Sequence, residues 1–192
     1  MPEIEYFYSA HSAFAYLGSV RFMEIAKAAG QTIVHKPYEL TRGIAGVGSV
    51  PTRERPQNHR AYYFRREIDR WSEHRAAPVM DGYPKHHWAD MTLSNGMLIA
   101  ATLQGANVDA LAHAMLKGHW RDDADLSNET TLQALARSVV VDPAPLLAAA
   151  LSDEVAAIYE ANTVEAIERS VFGSPTYFIE GDMFYGQDHL EM

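Results

Sequence analysis

Three short stretches carry residues that could do chemistry. The first is "YSAHSAFAYLGS", residues 8–19, where Ser12 stands between an aromatic run and a helical one. The start of a helix has unpaired N–H groups and a partial positive charge, so an anion or a nucleophile is favoured there. Serine is also a leading N-cap residue, and the local sequence alone leaves Ser12 free to be only a cap. The second stretch is "FGSPTYFI", residues 172–179. Pro175 precedes a β-like run, where proline belongs at the first strand residue. A chain delivered sharply into a strand makes Ser174–Pro175 a candidate cis bond, although only about 5–6% of such bonds are cis. The third is "YGQDHL", residues 185–190, in which Gly186, Gln187 and Asp188 form a turn. Asp188 could accept from an ammonium group or cap a terminal helix.

Other groups point to less. The chain has no cysteine, so disulfides, thiolate metal sites, a cysteine nucleophile and disulfide oxidoreductase chemistry are excluded. His86 and His87 are adjacent and should point apart, which argues against a shared metal. His11 adjoins Ser12, but sequential side chains seldom face each other, so no Ser–His dyad is expected. "GIAGVG" (43–48) lacks dinucleotide-binding spacing and reads as flexible loop. Asp122, Asp123 and Asp125 lack the glycine and glutamate of a calcium loop and read as a solvated helix end. Trp71, Trp88 and Trp120 read as core or pocket walls. No metal is expected.

These residues need elements to position them. "IEYFYS" (4–9) reads as a strand, 12–30 as a helix ended by Gly30, and "TIVHKPYEL" (32–40) as a second strand. A β-α-β start implies parallel strands with a right-handed crossover. Residues 41–56 are rich in Gly and Pro and read as loop. Helices follow at 57–75, 91–105 and 107–121, then one capped by Ser127. Asp142 with Pro143 marks another start, and 152–170 is the last helix. Residues 174–186 read as strand, a turn containing Gly and Asp, and strand. The late strands can pair only with the early ones. The expected domain is therefore 1–40 with 171–192, two halves of one sheet, with a helical domain inserted over 57–170.

The bulk properties suit a small-molecule protein. The 192 residues are 47% hydrophobic and 21% charged, with formal net charge −9. That balance argues against a nucleic-acid backbone or an anionic membrane as partner. The first ten residues carry neither a basic region nor a long apolar run, so no signal peptide is expected, and a cytoplasmic location is.

Over its whole length the sequence resembles the DsbA-like branch of the thioredoxin superfamily. Within that branch it is similar to the 2-hydroxychromene-2-carboxylate isomerases and the kappa-class glutathione transferases. Those families carry Ser-Pro-x-Ser-Tyr-Leu after an aromatic strand, and here stand Ser12-Ala13-Phe14-Ala15-Tyr16-Leu17. Their Phe-Gly-x-Pro-Thr corresponds to Phe172-Gly173-Ser174-Pro175-Thr176. Their C-terminal Phe-(Trp/Tyr)-Gly-Gln-Asp corresponds to Phe184-Tyr185-Gly186-Gln187-Asp188, the most specific match. Ala61 to Trp71 resembles a family helix. Ala13 replaces the family's proline, the 41–56 loop lacks its asparagine, and "YPKHHWADMTLSNGM" (83–97) differs from the usual segment. Members continue past the position of Met192 into a final helix, so a shortened terminus or a covering partner is expected there.

The resemblance implies an α/β thioredoxin-like fold and a glutathione cofactor. It implies that Ser12 activates the glutathione sulfur, with a borrowed thiol standing in for the missing cysteine. Ser174 and the cis Pro175 would pair with the cysteinyl backbone, and Gln187 and Asp188 would hold the γ-glutamyl end. Arg60 would meet the glycine carboxylate or the substrate's acid. The implied reaction interconverts 2-hydroxychromene-2-carboxylate and trans-o-hydroxybenzylidenepyruvate, so the partner is a small aromatic oxo-acid. A kappa-like transferase and a non-catalytic thioredoxin-fold binding protein are the alternatives. Relatives imply a homodimer.

Overall fold

A computed structural model describes residues 3–192. Strand β1 (Glu3–Tyr8) leads into helix α1 (Ala13–Ala28) and strand β2 (Thr32–Pro37). The chain then runs through α2 (Leu40–Gly46) and a 3-10 turn at Thr52–Glu54. A π-helical stretch, His59–Phe64, continues into α3 (Arg65–Arg75). Helices α4 (Thr92–Leu103), α5 (Val108–Asp122), α6 (Glu129–Ser138), α7 (Pro143–Ala149) and α8 (Asp153–Glu168) complete the insertion. Strands β3 (Thr176–Ile179) and β4 (Asp182–Tyr185) close it.

The helix boundaries are set by side chains that accept otherwise unpaired N–H groups. Ser12, Asn107, Asn128, Asp142 and Ser152 each cap a helix in this way. The cap of α6 is Asn128 and not Ser127, whose hydroxyl donates to Asp125 at 2.6 Å instead. Asp125 reaches it first because the two sit in one tight turn. The 41–56 segment is not all loop. Glu39 caps α2 by accepting from the Arg42 N–H, and Gly43 lets that helix lie against the Tyr38 ring. A count of glycines hides a helix whose glycine serves close packing.

The four strands form one sheet in the order β2-β1-β3-β4. β1 pairs parallel with β2 and antiparallel with β3, so the two ends of the sequence do share one sheet. The hairpin turns at Glu180 and Gly181, both at positive φ, and Asp182 already pairs with Ile179. Alternation along β1 sends Ile4, Tyr6 and Tyr8 into the large core with α1 and the helical insertion. Phe7 points to the other face, where it meets Tyr38, Ala166, Val171 and Phe178. Tyr6 stacks on Tyr8 at 4.1 Å and on Tyr177 at 5.4 Å, an aromatic row that knits β1 to β3.

On that second face Glu5 is held between Lys36 of β2 (2.7 Å) and Arg169 after α8 (2.8 Å). The Arg169 hydrogen bond, aided by Lys36, pulls the Glu5 carboxyl down to about 2.

Candidate active site

The sheet delivers its strand ends to one cavity of about 570 Å³, walled by both the thioredoxin half and the helical insertion. Ser12, at the tip of α1, lies on this wall. Its Oγ accepts from the Ala15 N–H at 3.2 Å and donates to the Ser174 carbonyl at 3.0 Å. Ser12 is therefore a cap, and it also faces the cavity.

Ser174 lines the same wall, and the Ser174–Pro175 peptide is cis. Its hydroxyl accepts from the Ser9 N–H at 3.3 Å. Ser174 lies before the β3 ladder, which begins at Thr176. The Pro175 carbonyl accepts from the Gly186 N–H at 2.9 Å, which pins the 186–189 turn beside it. Gly186 has φ +96°, a conformation that suits glycine.

Gln187 is buried on that turn and Asp188 is exposed, and both line the cavity. Arg75 donates to the Gln187 side-chain oxygen (3.1 Å) and to its backbone carbonyl (3.2 Å). The Gln187 side-chain nitrogen is buried and has no partner. Ser12, Ser174, Gln187 and Asp188 thus meet in one place, with Pro175 behind them.

Arg60 does not join them. It sits in the π-helical stretch, its carbonyl accepts from the Tyr83 hydroxyl at 3.5 Å, and it is not among the residues lining the cavity. Arg53 and Arg55 line it instead.

Several site residues were missed by sequence reasoning. Ser9 and His11 precede Ser12, and both line the cavity together with His87 and Tyr159. Behind them Asn95, fully buried on α4, fixes the group. Its Oδ1 accepts from the Ala10 N–H (2.9 Å), and its Nδ2 donates to Ser9 Oγ and to the Tyr159 hydroxyl (3.1 Å each). Ser9 Oγ meets His11 Nδ1 at 2.9 Å, and His87 Nδ1 meets His119 Nε2 at 3.0 Å. Burial, and then the nearby His119, push the His11 imidazole down to about 3. Burial, then His11 and His119, push His87 down to about 2. Burial also lowers His119. The signal was present in "YPKHHWAD", where two adjacent histidines stand between Tyr83 and Trp88. Trp120 is core and donates to the His11 carbonyl at 2.8 Å, while Trp71 and Trp88 wall the cavity.

The donor set fits a small peptide-like thiol. The buried Gln187 side-chain nitrogen has no partner, and the cavity lining that includes Gln187 also carries the Asp188 carboxylate and two arginines. Ser12 brings a hydroxyl at a helix start, next to a peptide group that no strand has claimed.

A sheet of this order, a helix start on a cavity wall and a cis-proline across from it define a thioredoxin-type protein. The family model described as DSBA-like thioredoxin domain matches residues 3–192, and the chain belongs to that family. Within it, the chain is 25% identical over 191 residues to 2-hydroxychromene-2-carboxylate isomerase of Pseudomonas putida, covering 98% of this chain and 91% of that protein. A solved structure of a 2-hydroxychromene-2-carboxylate isomerase superposes with a TM-score of 0.83 at 23% identity, covering 99% of this chain and 91% of the other. The cytosolic disulfide reductase DsbM from Pseudomonas aeruginosa, with GSH, shares the fold at a TM-score of 0.67 and 13% identity, covering 95% and 88%. Among the described residues no helix is long and apolar enough to cross a membrane.

Proposed function

We propose that the protein is a glutathione-dependent isomerase acting on 2-hydroxychromene-2-carboxylate and trans-o-hydroxybenzylidenepyruvate or a close aromatic oxo-acid analogue. The observation that carries this reading is the Ser12 hydroxyl on the cavity wall, hydrogen-bonded to the peptide before the cis-proline. The similarity to curated isomerases over 98% of the chain supports the substrate class. Glutathione supplies a thiolate whose reversible addition to a conjugated double bond makes that bond single and free to rotate.

The chain's own residues do the rest. Ser12 Oγ keeps its place as cap while its O–H turns about the Cβ–Oγ bond, away from the Ser174 carbonyl and toward the sulfur. One such hydrogen bond to an anion contributes about 1.5–3 kcal/mol, which lowers a thiol pKa by about one to two units. The positive end of α1 acts in the same direction. Ser174 offers its peptide group to the tripeptide backbone, and Gln187 and Asp188 hold its amino-acid end. Arg53 or Arg55 takes the role foreseen for Arg60 and meets a carboxylate. Trp88 and Phe14 give the aromatic ring an apolar wall. The need for the reduced thiol places the reaction in the cytoplasm.

The test is the rate of o-hydroxybenzylidenepyruvate isomerisation with glutathione, with and without protein. A clear gain over glutathione alone is expected, and no gain refutes the reading. Ser12→Ala should lower kcat by about ten- to a thousandfold, as loss of one oxyanion-type donor does. An unchanged kcat would leave Ser12 as a cap alone.

A further inference from the structure

The histidines beside Ser12 are arranged so that their proton positions can be deduced. His119 Nδ1 lies 3.0 Å from the Ala124 carbonyl, which can only accept, so Nδ1 carries a hydrogen. A neutral His119 then has a lone pair on Nε2. His87 Nδ1, 3.0 Å away, must be the donor to it. A neutral His87 is left with an unprotonated Nε2. His11 comes out the opposite way. Asn95 is oriented by the Ala10 N–H on its oxygen, so its Nδ2 donates to Ser9 Oγ. The arrangement that also gives the Ser9 hydroxyl hydrogen a partner points it at His11 Nδ1, 2.9 Å away, and we take this arrangement. A neutral His11 therefore carries its hydrogen on Nε2. Among the described residues neither His11 Nε2 nor His87 Nε2 has a hydrogen-bond partner, and both residues line the cavity. Their rings are 5.2 Å apart.

We propose that His11 and His87 form a matched pair, a ring N–H donor beside a ring lone pair, that binds the un-ionised hydroxyaryl ketone end of the substrate. This rests on the isomerase reading for the identity of the ligand. The ligand's hydroxyl donates to His87 Nε2, and its ketone oxygen accepts from His11 Nε2. A hydroxyl and a carbonyl held on neighbouring rings are also held near each other, as ring closure requires. A phenolate would face the His87 lone pair and be rejected. His87 packs among Tyr83, Trp88 and Trp120, and His11 lies against His87 and His119, so burial favours both imidazoles neutral and the pair keeps its pattern near neutral pH. His119 and Asn95 are positioning residues that set the two tautomers.

Two measurements test this, and neither needs turnover. First, ¹⁵N NMR of the imidazole nitrogens, assigned with His11→Gln and His87→Gln, should show His11 protonated on Nε2 and His87 on Nδ1. The reverse tautomer in either ring overturns the proposal. Second, tryptophan fluorescence titration without glutathione compares trans-o-hydroxybenzylidenepyruvate with its methoxy ether and with benzylidenepyruvate lacking the hydroxyl. Wild type should prefer the hydroxyl probe by about three- to tenfold, the worth of one neutral hydrogen bond. His87→Phe should abolish that preference. Equal binding of the three probes by wild type, or a preference that survives in His87→Phe, overturns the pair. The wild-type comparison stands even if His87→Phe does not fold. A hydroxyl preference with no glutathione-dependent isomerisation would refute the proposed reaction and keep the pair. Isomerisation without the preference would do the reverse.

Discussion

Ser12, the half-buried His11 and the buried His87 and His119 show how one side chain can serve the fold and the site together. Ser12→Ala removes the cap of α1 as well as the cavity hydroxyl. Loss of about 1 kcal/mol of stability is expected with the fall in kcat, and a denaturation midpoint measured beside the rate separates the two effects. The histidines give a pH signature. His11 and His87 stay neutral in the folded chain, with pKa values pushed down to about 3 and about 2, while in the unfolded chain they titrate near the ordinary imidazole value of about 6.5. Between those values the unfolded state binds more protons, so stability rises with pH. Their contribution is whole above about pH 6.5 and shrinks as the pH falls through the acid range. At pH 5 each ring is expected to cost about 1–2 kcal/mol relative to neutrality. Urea midpoints taken between pH 7 and 5 should fall, and fall less in His87→Gln. A flat profile would mean that these rings are solvated.

At the scale of elements, the first half of α1 positions the site at two points. Its N-terminus presents Ser12, and six residues further on Gly18 lets the 187–189 turn approach. A Cβ at Gly18 would lie 2.5 Å from Gln187 Cβ, too near for either backbone to stay put. Gly18→Ala should therefore destabilise by about 1–3 kcal/mol and weaken glutathione binding, because Gln187 and Asp188 must shift. Calorimetry of the variant with reduced glutathione checks this, and unchanged affinity would place the γ-glutamyl contact elsewhere. The elements were largely legible in the sequence, since caps such as Asp142 and alternation in "IEYFYS" are local signals. The short helix α2 was not, because its cap is a glutamate and its glycines resemble a loop. The site was legible where motifs carry it, at Ser12, Ser174 and 186–188. It was not legible where contacts join distant helices. Asn95, 86 residues after Ser9, shows no local sign of holding its hydroxyl. His87 and His119 likewise meet only through the packing of α5 against the 83–91 segment.

At the scale of the whole molecule, the cavity exists because two parts of the chain close on it. The thioredoxin half supplies Ser12, Ser174 and the 186–189 turn, and the insertion supplies His87, Trp88 and Tyr159. Removing 171–192 should therefore leave a collapsed or aggregating chain rather than a weaker enzyme, and light scattering during refolding checks it. The reason is the place of β3 in the sheet. It is interior, between β1 and β4, yet it follows β1 in the chain only after the whole helical insertion. Until residue 179 leaves the ribosome, β1 can pair only with β2, and the backbone groups of Ile4 to Phe7 on its other side are an open adhesive edge. The nascent protein must carry that edge open for as long as the insertion takes to make, and throughout that time it invites pairing with any other extended chain.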